Sequence, residues 1–224
     1  MTQVVPLDEA MSAAAPPRTV DRISRRQVDK FAERRAQLAE SALLTLSELG
    51  YARTSLREIA QNSEFSHGVL HYYFRDKVDL ITHCVREYKA RCVTRYDQIA
   101  ATATTADELR LGFAAGLAQT MVQDAHLHRL WYDLRSQSMF EASFRDDVAA
   151  IDASLERMIW RIVSQYADQL NSAPGVSPAT AYAIFDGLFQ HGLIQHLFGN
   201  EDAADRLRET VEVLMPTMVL PSGS

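Results

Sequence analysis

Residues 54–81, TSLREIAQNSEFSHGVLHYYFRDKVDLI, restrict the fold more than any other part of the chain. Ser55, Leu56, Arg57 and Glu58 form an S-x-x-E capping box, in which hydroxyl and carboxylate satisfy backbone donors at a helix start. The helix so begun runs through Ile59 and Ala60 to about Asn62, roughly two turns, too short to persist without packing. Ser63, Glu64 and Phe65 interrupt it, and Ser66 is placed to cap a second short helix through Val69, Leu70 and Phe74. Asp76 caps another, with Asp79 in its first turn and Leu80, Ile81, Cys84 and Tyr88 carrying an apolar stripe toward Ala100. Two brief helices joined by a tight turn make a helix-turn-helix, whose second member is sized for the DNA major groove.

On that second helix Phe65, Leu70 and Phe74 are predicted to turn inward, leaving His67, Gly68, His71 and Tyr72 on the outer face. Tyr73 is expected to be more buried than Tyr72. Gly68 costs roughly 1 kcal/mol of helix stability relative to alanine, a cost that close approach of the backbone to DNA explains. The i,i+4 spacing of His67 and His71 also suits a metal, but no third ligand stands nearby and both face the DNA side.

The rest of the chain reads as helical. Residues 1–17 lack apolar periodicity and read as a disordered leader. Arg18, Arg22, Arg25, Arg26 and Lys30 then form a spaced basic run, either a solvated helix face or a phosphate-seeking arm. Phe31, Leu38, Ala42, Leu46 and Leu49 recur at helical spacing up to Gly50. Further helices are predicted over 107–123, 126–139, 146–170, 178–198 and 202–218, with Pro174, Gly175 and Pro178 marking the clearest loop. No alternating strand pattern occurs, so the expected class is all-α with about nine helices: a three-helix head over 18–76, a helical bundle over 77–218 and a tail over 219–224.

The net charge of −6 conceals an asymmetry. Residues 18–91 hold 14 Lys+Arg against 10 Asp+Glu and the remainder 9 against 19, a balance of +4 beside −10. A basic segment on an acidic chain points to a polyanionic partner for the head alone. No apolar run approaches the roughly 20 residues that span a bilayer, and no signal pattern opens the chain, so no membrane partner and a cytoplasmic location are expected. Cys84 and Cys92 on one helix would stand about 12 Å apart, too far for a disulfide.

The 54–81 stretch closely resembles the DNA-binding signature of TetR-type transcriptional regulators, through T-S-L-R-E-I-A, S-x-G-x-L and Y-Y-F-x-D-K. The resemblance spans roughly residues 25–85. It implies a double-stranded DNA operator as partner, a long connecting fourth helix, and a helical body that forms a homodimer and binds a small-molecule effector. It implies phosphate contacts for Thr54, Ser66, Tyr72 and Lys77, with Arg25 and Arg26 in the basic run, and base-edge positions for His67, Gly68 and His71. Glu64 stands where the family commonly has glycine, and His71 where tyrosine is frequent.

In the body, the resemblance points to dimerisation through the last two long helices, with Ile184, Phe185, Leu188, Leu207, Val211 and Leu214 as the candidate interface. Phe113, Trp131, Tyr132, Arg135, Met139, Trp160, Tyr166 and Phe189 concentrate large side chains with few polar tips, the composition of a largely apolar effector pocket. Arg135 would meet an acidic ligand there, or Asp133 or Glu141. His126, His128, His191 and His196 lack chelate spacing and read as satisfied or exposed. No Gly-rich phosphate loop, nucleophile elbow or H-E-x-x-H pattern appears, so neither catalytic residues, a metal nor a cofactor is expected. The expected function is a sequence-specific regulator, a repressor released by a small effector; a small helical enzyme and a ligandless helix-turn-helix interaction protein are the alternatives.

Overall fold

The computed structural model describes residues 19–50 and 54–221. The chain divides into two units, Met1–Arg35 and Ala36–Ser224. The first carries the opening half of α1 (Thr19–Leu49), with side chains from Val28 to Arg34 exposed. The basic run from Arg22 onward is thus part of a helix. The leader over 1–17, Arg18, and the side chains of Arg22, Arg25 and Arg26 lie outside the described residues.

In the second unit, Leu38, Ala42 and Leu46 form an i,i+4 stripe with no exposure at all. Gly50 closes the helix at φ +74°, its N–H donating to the Leu46 carbonyl at 2.8 Å. Only glycine takes that left-handed conformation without steric cost, which is why the stripe stops there. Two short helices follow, α2 (Leu56–Gln61) and α3 (His67–Tyr73), then α4 (Lys77–Thr102). The body comprises α5 (Ala106–Gln123), α6 (Ala125–Gln137), α7 (Arg145–Gln169), α8 (Pro178–Leu197) and α9 (Ala203–Leu214), with 3-10 turns at Ala142–Phe144 and Met215–Met218. Among the described residues the fold is all-α, nine α-helices and no strand.

Local chemistry sets most boundaries. Thr105 accepts the Glu108 N–H at 3.2 Å to start α5, and Ser177 accepts the Thr180 N–H at 3.2 Å to start α8, where Pro178 takes the first position, which lacks an intrahelical partner in any case. Two predicted ends move. The last helix stops at Leu214 rather than 218, because Pro216 has no N–H to continue the ladder and the chain tightens into a 3-10 turn. The sixth stops at Gln137, which leaves Met139 and Phe140 on the surface beyond it. Residues just after Met218 are tied to the loop before α8: Leu220 N–H donates to the Ala173 carbonyl at 2.9 Å and Gly175 N–H to the Met218 carbonyl at 2.7 Å.

Packing makes α5 the centre of the body. It lies along α9 and touches α4, α7 and α8, while α7 packs on both α4 and α8. The latter half of α1 is fastened to this assembly by the Cys84 thiol of α4, which donates to the Ala39 carbonyl at 3.2 Å, and by the Arg129 guanidinium of α6, which donates to the Ser47 carbonyl. Both cysteines are buried, and they are not joined by a disulfide.

Candidate nucleic-acid interface and body cavity

The head is built from caps that face away from its core. Ser55 and Glu58 complete the capping box, with the Glu58 N–H on the Ser55 hydroxyl at 3.2 Å and the Ser55 N–H on the Glu58 carboxylate at 2.7 Å. Ser66 accepts the Val69 N–H at 3.3 Å and Asp76 accepts the Asp79 N–H at 2.8 Å. Behind α3, Phe65, Leu70 and Phe74 are buried in one core with Leu38, Leu46 and Ile59 of α1 and α2. Each such side chain contributes about 2 kcal/mol by leaving water, enough to hold a helix that could not stand alone.

The opposite face of α3 is open. His67, Gly68, His71 and Tyr72 are exposed, Tyr72 at 74%, while Tyr73 is half-buried. The His67 and His71 rings meet edge to face at 4.4 Å, and among the described residues no group of three or more potential ligands could hold a metal ion. Exposed Ser66 sits at the start of α3, and half-buried Lys77 is the first residue of α4. One predicted phosphate contact is corrected. Thr54 is buried, and its hydroxyl donates to the Gly50 carbonyl at 2.7 Å, so it closes the link between α1 and α2 instead of facing solvent. Glu64 keeps a negative φ, Asn171 being the one non-glycine residue with positive φ among those described, so this turn has no need of the family's glycine.

The body holds a partly open cavity of about 50 Å³ where α4, α5, α6, α7 and α8 converge. Leu117, Leu155, Met158, Ile159, Phe185 and Phe189 give it apolar walls, and Tyr96, Tyr132 and Tyr182 turn phenol rings toward it. At one side Arg135 pairs with Asp186 and, at 3.4 Å, with Asp152; Tyr132 donates to Asp186 at 3.0 Å and Tyr182 to Asp152. At the other, Lys89 lies on the wall with its ammonium 3.1 Å from His128 Nδ1. His128 Nε2 is 2.8 Å from the Tyr88 hydroxyl. With the ammonium donating to Nδ1, the imidazole is neutral and carries its proton on Nε2, donating it to Tyr88. Burial, reinforced by the Lys89 charge, holds the His128 pKa well below the ordinary histidine value. Burial likewise lowers that of Lys89, to about 8.

The predicted pocket residues divide accordingly. Tyr132 and Phe189 line the cavity. Phe113 stands one layer back, its ring 5.4 Å from Phe185 and 5.7 Å from Tyr96, and Trp131 lies under the Lys89 ammonium at 5.3 Å. Arg135 is committed to Asp186 and Asp152, not to Asp133 or Glu141. Three assignments are corrected. Met139 is 69% exposed because α6 ends before it. Trp160 follows cavity-facing Ile159 and is turned about 100° away by the helix, and Tyr166 lies roughly two turns beyond the same wall. Three dimer candidates also change place, since Phe185 lines the cavity and Leu207 and Val211 are buried within this chain. Ile184, Leu188 and Leu214 are half-buried. Sequence reasoning missed Lys89 and left His128 among residues without function. A signal existed for Lys89: it continues the i,i+4 and i,i+3 stripe Ile81, Val85, Cys92 and Tyr96, a charge at an apolar position.

Residues 38–84, which contain these first helices, match the family model described as bacterial regulatory proteins, tetR family. Over 166 residues the chain is 30% identical to the HTH-type transcriptional regulator BetI of Paraburkholderia phymatum, covering 72% of this chain and 82% of that one. The chain belongs to the TetR family. TetR-family membership makes it a DNA-binding transcriptional regulator. Solved structures share the fold at lower identity. A TetR transcription regulator from Haloarcula marismortui is similar at TM-score 0.69 and 17% identity, over 84% of this chain and all (100%) of that one. Bacillus subtilis FadR in complex with stearoyl-CoA matches at TM-score 0.67 and 17% identity over 80% and 96% of the two chains. A Saccharomonospora viridis protein in complex with choline matches at TM-score 0.66 and 17% identity over 85% and 99%. Among the described residues, no helix is long and apolar enough to cross a membrane.

Proposed function

We propose that this TetR-family regulator is a homodimeric repressor, released from its operator by a small, largely apolar effector bound in the body. The observation that carries the DNA-facing assignment is the two-sidedness of α3: Phe65, Leu70 and Phe74 anchor it from behind while His67, Gly68, His71 and Tyr72 stand exposed. Ser66 and Lys77 flank that face and are the phosphate contacts, with His67, Gly68 and His71 nearest base edges. Head and body divide after residue 76, so α4 starts at the reading face and passes through the cavity wall.

The dimer face is a stripe on α8. Ile184, Gly187, His191, Ile194 and Phe198 recur at i,i+3 and i,i+4, half-buried or exposed, opposite the buried Ala181, Phe185, Phe189 and Leu193. A helix apolar on both sides requires covering on both. A Cβ at Gly187 would meet nothing within 4 Å, which leaves room for a neighbouring helix. Release follows when the effector prefers a dimer whose reading helices no longer match half-sites about 34 Å apart.

Selection from a random DNA pool, followed by footprinting of the retained sequences, tests the reading. The expected product is a two-fold symmetric site protected as two half-sites; an asymmetric single site, or retention without sequence preference, would contradict it. A ligandless body is the second reading, favoured by the small volume of about 50 Å³. Operator affinity insensitive to every cavity ligand would support that reading instead.

A further inference from the structure

From the placement of Lys89 we infer that the effector is a small anion with an apolar tail, a monocarboxylate whose head is held by the Lys89 ammonium. The inference rests on the effector reading and specifies its chemistry. Lys89 is 6% exposed, and among the described residues its one hydrogen-bond partner is the neutral His128, with no carboxylate in ion-pair contact. An ammonium has three donors, and one is used. A buried cation that touches no anion has an open demand for one.

The two carboxylates nearest in kind do not meet that demand directly. Asp186 is engaged by Arg135 and Tyr132, and Asp152 by Arg135 and Tyr182. The acidic side of the cavity is therefore satisfied by its own partners, and the basic side is the one with spare donors. The groups facing Lys89 are Tyr88 and Cys92 on α4, His128, Trp131 and Arg135 on α6, Asp152 on α7 and Asp186 on α8. His128, kept neutral, orients the ammonium without neutralising it. Leu117, Leu155, Met158 and Phe189 then supply the surface for a short alkyl or aryl tail. A cationic guest would have to displace Arg135 from both aspartates while lying beside the Lys89 charge.

The position also gives the ligand a lever. Lys89 lies twelve residues beyond Lys77 on α4, about 18 Å along the same helix from the candidate phosphate contact.

Isothermal titration of the full chain with propionate, butyrate and hexanoate, their neutral amides, and choline tests the inference. At least one carboxylate should bind ten or more times tighter than its amide and than choline. Titration at pH 8.5 in two buffers of different ionisation heat should show proton uptake on binding, because the anion raises the Lys89 pKa. In Lys89→Met, of similar length and able to fill the same space, both the tenfold preference and the proton uptake should vanish while the far-UV spectrum and melting cooperativity are kept. Lys89→Arg, which restores the charge, should recover part of the preference and guards against a misfolded methionine variant. Amide binding equal to carboxylate, or a carboxylate preference untouched in Lys89→Met, overturns the role of Lys89. Choline binding in preference to carboxylates overturns the anion assignment and leaves the effector reading intact. Absence of binding in every arm overturns both.

Discussion

At the scale of single residues, Lys89 and His128 tie stability to pH in the same direction. The Lys89 pKa falls from 10.5 to about 8 through burial, so between those values the unfolded chain holds a proton that the folded chain has released. The Lys89 contribution to stability therefore rises as pH increases from about 8 to 10.5, by up to about 3 kcal/mol for this depth of burial. The depressed His128 pKa acts at the other end: below pH 6.5 the unfolded imidazole charges while the folded one does not, and stability falls as pH drops. Urea midpoints should climb from below pH 6.5 and again from about pH 8 to about 9.5, above which the unfolded tyrosines ionise while buried Tyr96, Tyr132 and Tyr182 do not and stability falls. Lys89→Met should flatten the climb above pH 8. An alkaline limb that persists in that variant would assign it elsewhere. On the DNA side, Lys77→Ala should weaken binding to all sequences alike and reduce the salt slope by about one unit, whereas His67→Ala should change which bases are preferred at a fixed position. Binding-site selection at two salt concentrations separates these outcomes, and a lost sequence preference with an unchanged salt slope in Lys77→Ala would reverse the roles.

At the scale of elements, α3 poses a question about Gly68. It lies in a helix, and a Cβ there would meet nothing within 4 Å, so the protein alone gives no reason to keep glycine. Gly68→Ala should stabilise the free protein by up to about 1 kcal/mol and, if the backbone at 68 lies against DNA, weaken operator binding tenfold or more. Melting and operator titration of the same variant decide it; unchanged affinity would remove Gly68 from the interface. The helices themselves were legible because their limits are set by neighbours in sequence: Ser55 with Glu58, Ser66, Asp76, Gly50 with its positive φ. Thr54 was not, since its hydroxyl is claimed by the Gly50 carbonyl across a turn whose geometry no spacing reveals. The cavity was legible only in composition. Lys89, His128, Tyr132, Asp152 and Asp186 come from α4, α6, α7 and α8, and only the packing of those helices decides which large residues face inward. Composition pointed to Trp160 and Tyr166 and passed over Met158 and Ile159; the rotation of α7 turns Trp160 away from the cavity, and Tyr166 lies roughly two turns beyond it.

At the scale of the whole molecule, α8 is where the sequence was most ambiguous, because a helix apolar all round conceals which side meets its own chain. The structure assigns Phe185 and Phe189 to the interior and leaves Ile194 40% and Phe198 78% exposed. If that outer stripe joins two copies, Ile194→Glu places like charges against each other at the centre of a two-fold contact and leaves the interior of each chain untouched. The variant should sediment as a monomer at concentrations where the parent is a dimer. It should also retain its head: affinity for a single half-site stays within about threefold of the parent, while affinity for the full operator drops by two or more orders of magnitude, because the second reading helix no longer arrives at high effective concentration. Analytical ultracentrifugation and titration of half and full operator duplexes measure the two effects independently. A dimer that survives Ile194→Glu would move the interface off this stripe, and a monomer that still distinguishes full from half operator would mean that the two copies meet on the DNA rather than through α8.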